Sequence, residues 1–193
     1  MRLIYSFLVY IIIIFSPIII VYRIFKGKES PKRFIEKFSI NKKKRNKGKL
    51  AWFHCSSVGE FLSIVPLIQE FEKMTSIKQI LVTTSTLSSS KIFEQFKFKK
   101  TLHQFYPLDN KHIIKNFLNY WKPSNVFFVE SEIWPTMILE LKERGIKVVL
   151  INARMSEKSF RRWSYLRGFG RGILEKFDYI FPQNKETYQY FKK

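Results

Sequence analysis

The chain has 193 residues and a formal net charge of +20, from 35 Lys and Arg against 15 Asp and Glu. Such a charge favours anionic partners, namely nucleic acid, a membrane surface or a phosphorylated substrate. Cys55 is the single cysteine, which excludes an intrachain disulfide. One thiol and three scattered histidines indicate no metal site.

The chain opens with an apolar segment, because residues 3–22 carry no charge and are rich in Ile, Val, Leu, Phe and Tyr. A helix rising about 1.5 Å per residue would cover roughly the 30 Å of a bilayer core over this length. No small-residue cleavage site follows, so residues 1–23 are predicted to form an uncleaved transmembrane anchor. A buried or interfacial hairpin helix is the alternative.

The next segment, residues 24–49, is predicted to be a basic juxtamembrane linker. Residues 23–49 contain twelve Lys or Arg against Glu29 and Glu36, whereas only Arg2 precedes the apolar segment. The positive-inside rule therefore predicts a cytoplasmic domain after the anchor. The same basic residues are expected to contact anionic lipids of the cell inner membrane, in a single-pass or a peripheral arrangement.

Residues 50–193 are predicted to form one α/β domain. Six apolar segments read as strands and helical patterns separate them, with connections too long for hairpins. This alternation predicts a Rossmann-like parallel sheet with helices on both faces. The predicted strands are residues 50–54, 79–84, 102–106, 125–129, 147–152 and 179–182.

The turn after the first predicted strand carries the best candidate for chemistry. Ser57 and Glu60 have the spacing of a capping box, in which the serine accepts from the helix and the glutamate reaches back. Ligands of open α/β sheets bind beyond the carboxyl ends of the strands, so Glu60 is also placed to act as a general base. On pattern alone the structural interpretation is favoured, and both interpretations remain open.

Later strands also end in polar residues. Glu130 and Glu132 follow the fourth strand, Asn152 ends the fifth, and Arg154 follows the fifth. The two glutamates would point the same way if the strand continued through them. Each residue also has a structural explanation as a cap or a turn former.

Four motifs together resemble one known family. They are H-C-S-S-V-G-E at 54–60, V-E-S-E-I-W-P at 129–135, I-N-A-R-M-S at 151–156 and P-Q-N at 182–184. In this order and spacing they resemble the amino-terminal half of the 3-deoxy-D-manno-octulosonic acid (Kdo) transferases of lipopolysaccharide synthesis. The resemblance includes the uncleaved membrane anchor and the segment after it, and so covers essentially the whole chain.

The resemblance implies the amino-terminal half of a GT-B glycosyltransferase, which takes the acceptor, a lipid A precursor (lipid IVA). The other half would bind the donor CMP-Kdo, and neither a cofactor nor a metal is implied. Glu60 matches the family's catalytic base, and attack on the face opposite the cytidylate would invert the anomeric centre. The residues expected on the acceptor side are Ser56, Ser57, Gly59, Glu130, Glu132, Asn152 and Arg154.

Two departures qualify the resemblance. Where the family usually has a glycine after the second strand, this chain has Thr86 and then Leu-Ser-Ser-Ser. The donor domain is also expected to be absent from residues 50–193, which would leave this chain inactive alone. A second hypothesis is therefore a non-catalytic membrane-tethered module that binds anionic lipid. Nucleic acid is a weaker candidate partner, because no recognised reader motif accompanies the charge.

Overall fold

A computed structural model describes residues 2–40, 43–165 and 168–192 of the chain. The remaining residues, 1, 41, 42, 166, 167 and 193, fall within the predicted segments 1–23, 24–49 and 50–193 and lie outside the described residues. The strands are β1 (Lys49–His54), β2 (Ile77–Thr84), β3 (Thr101–Phe105), β4 (Asn125–Val129), β5 (Lys147–Ala153) and β6 (Tyr179–Pro182).

Helices connect the strands, and a short 3-10 helix, Phe34–Phe38, precedes β1. The α-helices are α1 (Arg2–Phe25), α2 (Val58–Lys73), α3 (Leu87–Phe93), α4 (Lys111–Trp121), α5 (Pro135–Glu143), α6 (Glu157–Tyr165), α7 (Phe169–Leu174) and α8 (Lys185–Lys192).

The six strands form one parallel sheet in the order β3-β2-β1-β4-β5-β6. The predicted Rossmann-like fold is confirmed, and each predicted strand is present with bounds that differ by two residues or fewer. This order reverses direction between β1 and β4, since β2 and β3 follow on one side and β5 and β6 on the other. Ligands bind open α/β sheets at such a switch point.

The sheet is covered on both faces except at the edge strand β6, which explains why its inner strands are nearly continuously apolar. On one face α2 packs its Phe61, Ile64, Val65 and Ile68, a spacing that places all four on one side of a helix. On the opposite face α4, α5 and α7 cover a second core built around Trp52. The turns that follow the strands lie at the carboxyl-terminal ends of the strands, between these two helical layers.

Helix α1 lies against this domain at both of its ends. The Tyr5 hydroxyl near its amino end donates to Asp109 Oδ2 at 2.5 Å, and Gly27 ends it in the left-handed region with φ of +63°. Between the ends, Ser16 and Ile20 are buried whereas most apolar side chains are exposed. Within the described residues one segment, Phe7–Phe25, is long and apolar enough to cross a bilayer, with a mean hydropathy of 2.5.

Residues 24–49, predicted as a basic linker, make specific contacts with the domain. The buried Glu36 accepts from the backbone N–H of Phe105 at 2.8 Å, and Arg33 bonds both Glu36 and His103. Further along, Arg45 Nε donates to the carbonyl of Trp121 at 2.6 Å. The segment therefore packs on β3 and α4 at these points, because its charged side chains find buried partners there.

Asp109 ties α1, β3 and α5 together. Besides Tyr5, its carboxylate accepts from the backbone N–H groups of Thr136 and Met137, both at 3.0 Å, at the start of α5. Burial raises the pKa of Asp109 from 3.8 to about 6, although these hydrogen bonds oppose the rise. The folded chain therefore keeps its proton at a pH where the unfolded chain has lost it.

We predict from this shift that the stabilising contribution of Asp109 is lost as pH rises from about 4 to about 6, by up to about 3 kcal/mol at roughly 1.4 kcal/mol per pKa unit. Asp109→Asn cannot ionise, so it should gain stability relative to the wild type over that range. Denaturant unfolding of the chain in detergent at pH 4 and pH 7 measures the difference.

Asp178→Asn is the matched control for this titration. Burial raises the pKa of Asp178, but its bonds with Lys142 and the N–H of Val148 outweigh burial and lower that pKa overall. Its contribution is therefore present at neutral pH and lost as pH falls, so this variant should lose stability relative to the wild type as pH rises. The same trend in both variants would contradict the assignment for Asp109.

Candidate active site

The candidate active site lies where the turns after β1 and β4 separate. β1 pairs with β4 in register from Ala51 opposite Asn125 to His54 opposite Phe128, so both strands end at the same level of the sheet. The chain then leaves β1 towards α2 on one face and leaves β4 towards α5 on the other. The space between these two turns, called the crevice below, is where open α/β sheets bind their ligands.

Glu60 stands in the first turn of α2 beside this crevice. Its backbone N–H donates to Ser57 Oγ at 3.2 Å, and its Oε1 accepts from that hydroxyl at 3.0 Å. Oε2 accepts from the backbone N–H of Ser56 at 2.7 Å, one residue before the predicted partner. The capping interaction is therefore present, and it holds the carboxylate of Glu60 in one orientation.

The capped carboxylate is also electrostatically perturbed. Burial raises the pKa of Glu60, and the negative charges of Glu132 and Glu130 raise it further. The hydrogen bonds from Ser56 and Ser57 oppose this rise without cancelling it. A carboxylate with a raised pKa accepts a proton more readily, which suits a general base. The same geometry thus serves the cap and the chemistry.

Glu130 and Glu132 reach the crevice by a different route from the one predicted. β4 ends at Val129 and Glu130 has φ of +57°, so the strand does not continue through the two glutamates. The condition under which strand alternation would aim the two side chains the same way is therefore not met. A left-handed residue turns the backbone after β4 instead, and both charges still act on Glu60.

Glu132 is held by a chain of hydrogen bonds that crosses the switch point. The Trp52 indole donates to Thr83 Oγ1 at 2.9 Å, and this hydroxyl lies 3.1 Å from His54 Nδ1. His54 Nε2 lies 3.0 Å from Glu132 Oε2, which the Trp134 indole also approaches at 2.7 Å. Because a carboxylate can only accept, these partners place a proton on His54 Nε2.

This arrangement decides which carboxylate is charged. Burial opposes ionisation of Glu132, but the hydrogen bonds from His54 and Trp134 outweigh burial and lower its pKa. Glu132 is therefore the acid that stays ionised, and Glu60 is the acid whose proton affinity is raised. Two carboxylates whose pKa values are pushed apart by their surroundings mark a site suited to acid–base chemistry.

Sequence reasoning gave no role to His54, Thr83 or Trp134. His54 was visible as a histidine closing a buried strand, and Thr83 closes the neighbouring strand directly opposite it. Their contact depends on β1 and β2 being paired in this register, which no local pattern records. Trp134 belongs to a matched motif but was read only as part of that motif.

The remaining predicted residues occupy the rim. Ser56 and Asn152 are half-buried, whereas Ser57, Gly59 and Arg154 are exposed. A Cβ at Gly59 would meet nothing within 4 Å, so close packing does not require a glycine at this position.

Two backbone contacts tie the turn after β5 to the turn after β4. The N–H of Arg154 donates to the carbonyl of Glu130 at 3.3 Å, and Ser131 Oγ donates to the carbonyl of Arg154 at 2.7 Å. Within the described residues the Arg154 guanidinium makes no ion pair, which leaves a cation beside the acidic crevice.

The fold and this crevice define a Rossmann-like domain of the GT-B kind, with its polar residues gathered at the switch point. Residues 32–193 match the family described as 3-deoxy-D-manno-octulosonic-acid transferase (kdotransferase). The chain belongs to this family. The family resemblance read from the four sequence motifs is confirmed.

Two relatives show how much of the family's length is present. The 3-deoxy-D-manno-octulosonic acid transferase of Rickettsia bellii is 37% identical over all of this chain and 46% of its own length. The enzyme of the same name from Rickettsia felis is 32% identical, over all of this chain and 52% of its own length. The chain thus spans about half the length of the curated relatives it matches.

Solved structures support the fold alone. The UDP-GlcNAc 2-epimerase of Neisseria meningitidis, bound to UDP-GlcNAc, superposes with a TM-score of 0.50 at 16% identity, over 75% of this chain and 42% of that one. Another UDP-N-acetylglucosamine 2-epimerase gives a TM-score of 0.51 at 14% identity, over 76% of this chain and 45% of that one. Identity at this level shows a shared fold and carries no argument about substrate.

The electrostatic coupling between the two acids generates a prediction. Glu132→Gln keeps an oxygen to accept from Trp134 and His54 but removes a charge that raises the pKa of Glu60. The pKa of Glu60 should therefore fall, as measured from the carboxyl carbon resonance of Glu60 in a pH titration by NMR. Glu70→Gln is the control, because Glu70 is an exposed glutamate on α2, the helix that carries Glu60. An equal shift in both variants would argue against a specific coupling.

Proposed function

We propose that this chain is the acceptor-binding half of a glycosyltransferase that moves Kdo from CMP-Kdo to a lipid A precursor in lipopolysaccharide synthesis. The observation that carries the proposal is the carboxylate of Glu60, oriented by its cap, perturbed by two neighbouring acids and matched to the family's base. Glu60 accepts the proton of the incoming hydroxyl as that oxygen attacks the anomeric carbon of the sugar. The bond to the cytidylate breaks on the opposite face, which inverts the anomeric centre.

The leaving group explains why one base suffices. The cytidylate departs with the bonding electrons as a phosphate anion, so the site needs no acid to protonate it. The remaining demand is a positioned proton acceptor, which typically contributes 10² to 10⁴ in rate. On this proposal Glu132 and Glu130 shape the acceptor side together with Ser56, Ser57, Gly59, Asn152 and Arg154.

The proposed location is the cell inner membrane, with the catalytic domain in the cytoplasm. Support comes from the exposed apolar side of α1, where Ile14, Ile18 and Phe25 are 71%, 68% and 86% exposed. Because Tyr5 at one end and the Gly27 turn at the other both lie against the same domain, a peripheral arrangement is favoured, with α1 lying along the membrane surface. That arrangement holds the crevice near its lipid acceptor.

The test of Glu60 is transfer of Kdo from CMP-Kdo to a lipid A precursor by this chain together with the carboxyl-terminal half of a relative. Glu60→Gln preserves the capping geometry but not the basicity, and should lower the transfer rate 10²- to 10⁴-fold. Ser57→Ala weakens the cap, costing about 1 kcal/mol of stability, and should lower the rate less than Glu60→Gln does, because the carboxylate of Glu60 itself remains. For the wild type, the rate should rise as pH rises through the pKa of Glu60.

Three outcomes separate the hypotheses. Transfer that survives Glu60→Gln would defeat the assignment of the base. Binding of the lipid A precursor without transfer, in the reconstituted protein as in the chain alone, would favour the non-catalytic membrane-tethered module. Transfer by the chain alone would show that this half needs no donor domain from elsewhere.

A further inference from the structure

A second pocket lies outside the candidate active site, between the end of α1 and the start of α3. Its volume is about 380 Å³, and it opens beside the turn at Gly27. Arg23 and Lys28 line it from the α1 side, and Thr86, Ser88 and Lys91 line it from the α3 side. Two segments far apart in the sequence therefore bring cations and hydroxyls to one place.

The pocket has more positive charge than the protein neutralises. The Lys28 and Lys91 ammonium groups are exposed and make no ion pair or hydrogen bond with any described residue. Arg23 is partly engaged, since Nε lies 3.4 Å from Glu29 and Nη2 donates to the carbonyl of Lys28 at 3.2 Å. That buried Glu29 is shared with Lys37, and no residue lining the pocket in the described part of the chain is acidic.

The free donors suit a phosphate group. Two ammonium groups, the unengaged edge of a guanidinium and the exposed Ser88 hydroxyl surround one space. A phosphomonoester carries up to two negative charges and three terminal oxygens, each of which accepts hydrogen bonds from such donors. A phosphodiester has one charge and two terminal oxygens, so it would satisfy fewer of them. The chemistry therefore favours a phosphomonoester.

The position of the pocket points to a lipid as the carrier of that phosphate. Arg23 is the first charge after the apolar segment of α1, and basic residues that flank a membrane-bound apolar helix are attracted to anionic lipid headgroups. On its other side the pocket adjoins the candidate active site, because Ser89 Oγ donates to the carbonyl of Ser56 at 3.4 Å. A lipid phosphate bound here would keep the rest of the headgroup close to the turn that carries Glu60.

We propose that the pocket formed by Arg23, Lys28, Thr86, Ser88 and Lys91 binds the phosphomonoester group of a membrane lipid. The identification of that lipid with the sugar acceptor rests on the proposed function, whereas the phosphate site itself does not. The pocket acts as an anchoring subsite beside α3, the helix that contacts the turn carrying the base. It fixes the acceptor's position without touching the reacting atoms.

Binding is tested with the full chain in zwitterionic detergent, by calorimetric titration with short-chain phosphatidic acid, phosphatidylglycerol, phosphatidylcholine or inorganic phosphate. Phosphatidic acid should bind more tightly than the other three. The double variant Lys28→Gln, Lys91→Gln should weaken that binding on the order of tenfold, since each contacting lysine contributes to the attraction. Arg23 is left intact because it pairs with the buried Glu29.

The matched control is Lys97→Gln, Lys99→Gln, which removes the same charge from exposed lysines just before β3, at the amino-terminal end of the strands, whereas the pocket lies beyond the carboxyl-terminal end of β2. It should leave the affinity for phosphatidic acid unchanged. Equal weakening in both double variants would contradict the assignment of the binding site to this pocket. Equal affinity for phosphatidylglycerol would contradict the preference for a phosphomonoester. If inorganic phosphate bound as tightly as phosphatidic acid, the claim that the bound phosphate belongs to a lipid would be contradicted. No sugar donor is present, so the result is independent of the role of Glu60.

Discussion

The hydrogen bond between His54 and Glu132 is the interaction on which the site depends. It joins the last residue of β1 to the turn after β4, at the switch point where these two strands send their helices to opposite faces. The contact fixes the turn after β4 relative to the end of β1. The buried Trp52 and Thr83 continue the hydrogen-bond chain behind His54, and Trp134 bonds Glu132 on the other side.

The charge distribution follows from that tie. Glu132 accepts hydrogen bonds from His54 and Trp134 in a partly buried environment, which keeps it ionised. Its negative charge then raises the pKa of Glu60. Burial already disfavours a second charge there, so the two acids divide into one fixed anion and one proton acceptor. The basic surroundings complement this arrangement: Arg154 at the rim and the lysines near the end of α1 suit an anionic substrate, whereas the acids act on its hydroxyl.

Sequence reasoning predicted the secondary-structure elements better than the tertiary contacts between them. Strand bounds were accurate because apolar strands end abruptly in polar turns, as the largely buried strand 125–129 does before Glu130 and the edge strand 179–182 does before Gln183. Glu60 was found because a cap has a fixed spacing. The His54 chain was missed because strand pairing is non-local, and the turn at Glu130 was missed because a left-handed glutamate has no sequence signature. The contacts of Arg33 and Arg45 with the domain were not predicted, because the many Lys and Arg residues of this segment are typical of a solvated linker.

The most direct test of this account is to observe the carboxyl carbon of Glu60 by NMR while a lipid A precursor is titrated into the detergent-solubilised chain. If Glu60 faces the acceptor hydroxyl, its resonance should move in step with saturation, and that of the exposed Glu70 on the same helix should not. Saturable binding of the precursor with an unmoved Glu60 resonance would contradict the account, because the proposed base would then lie outside the occupied crevice.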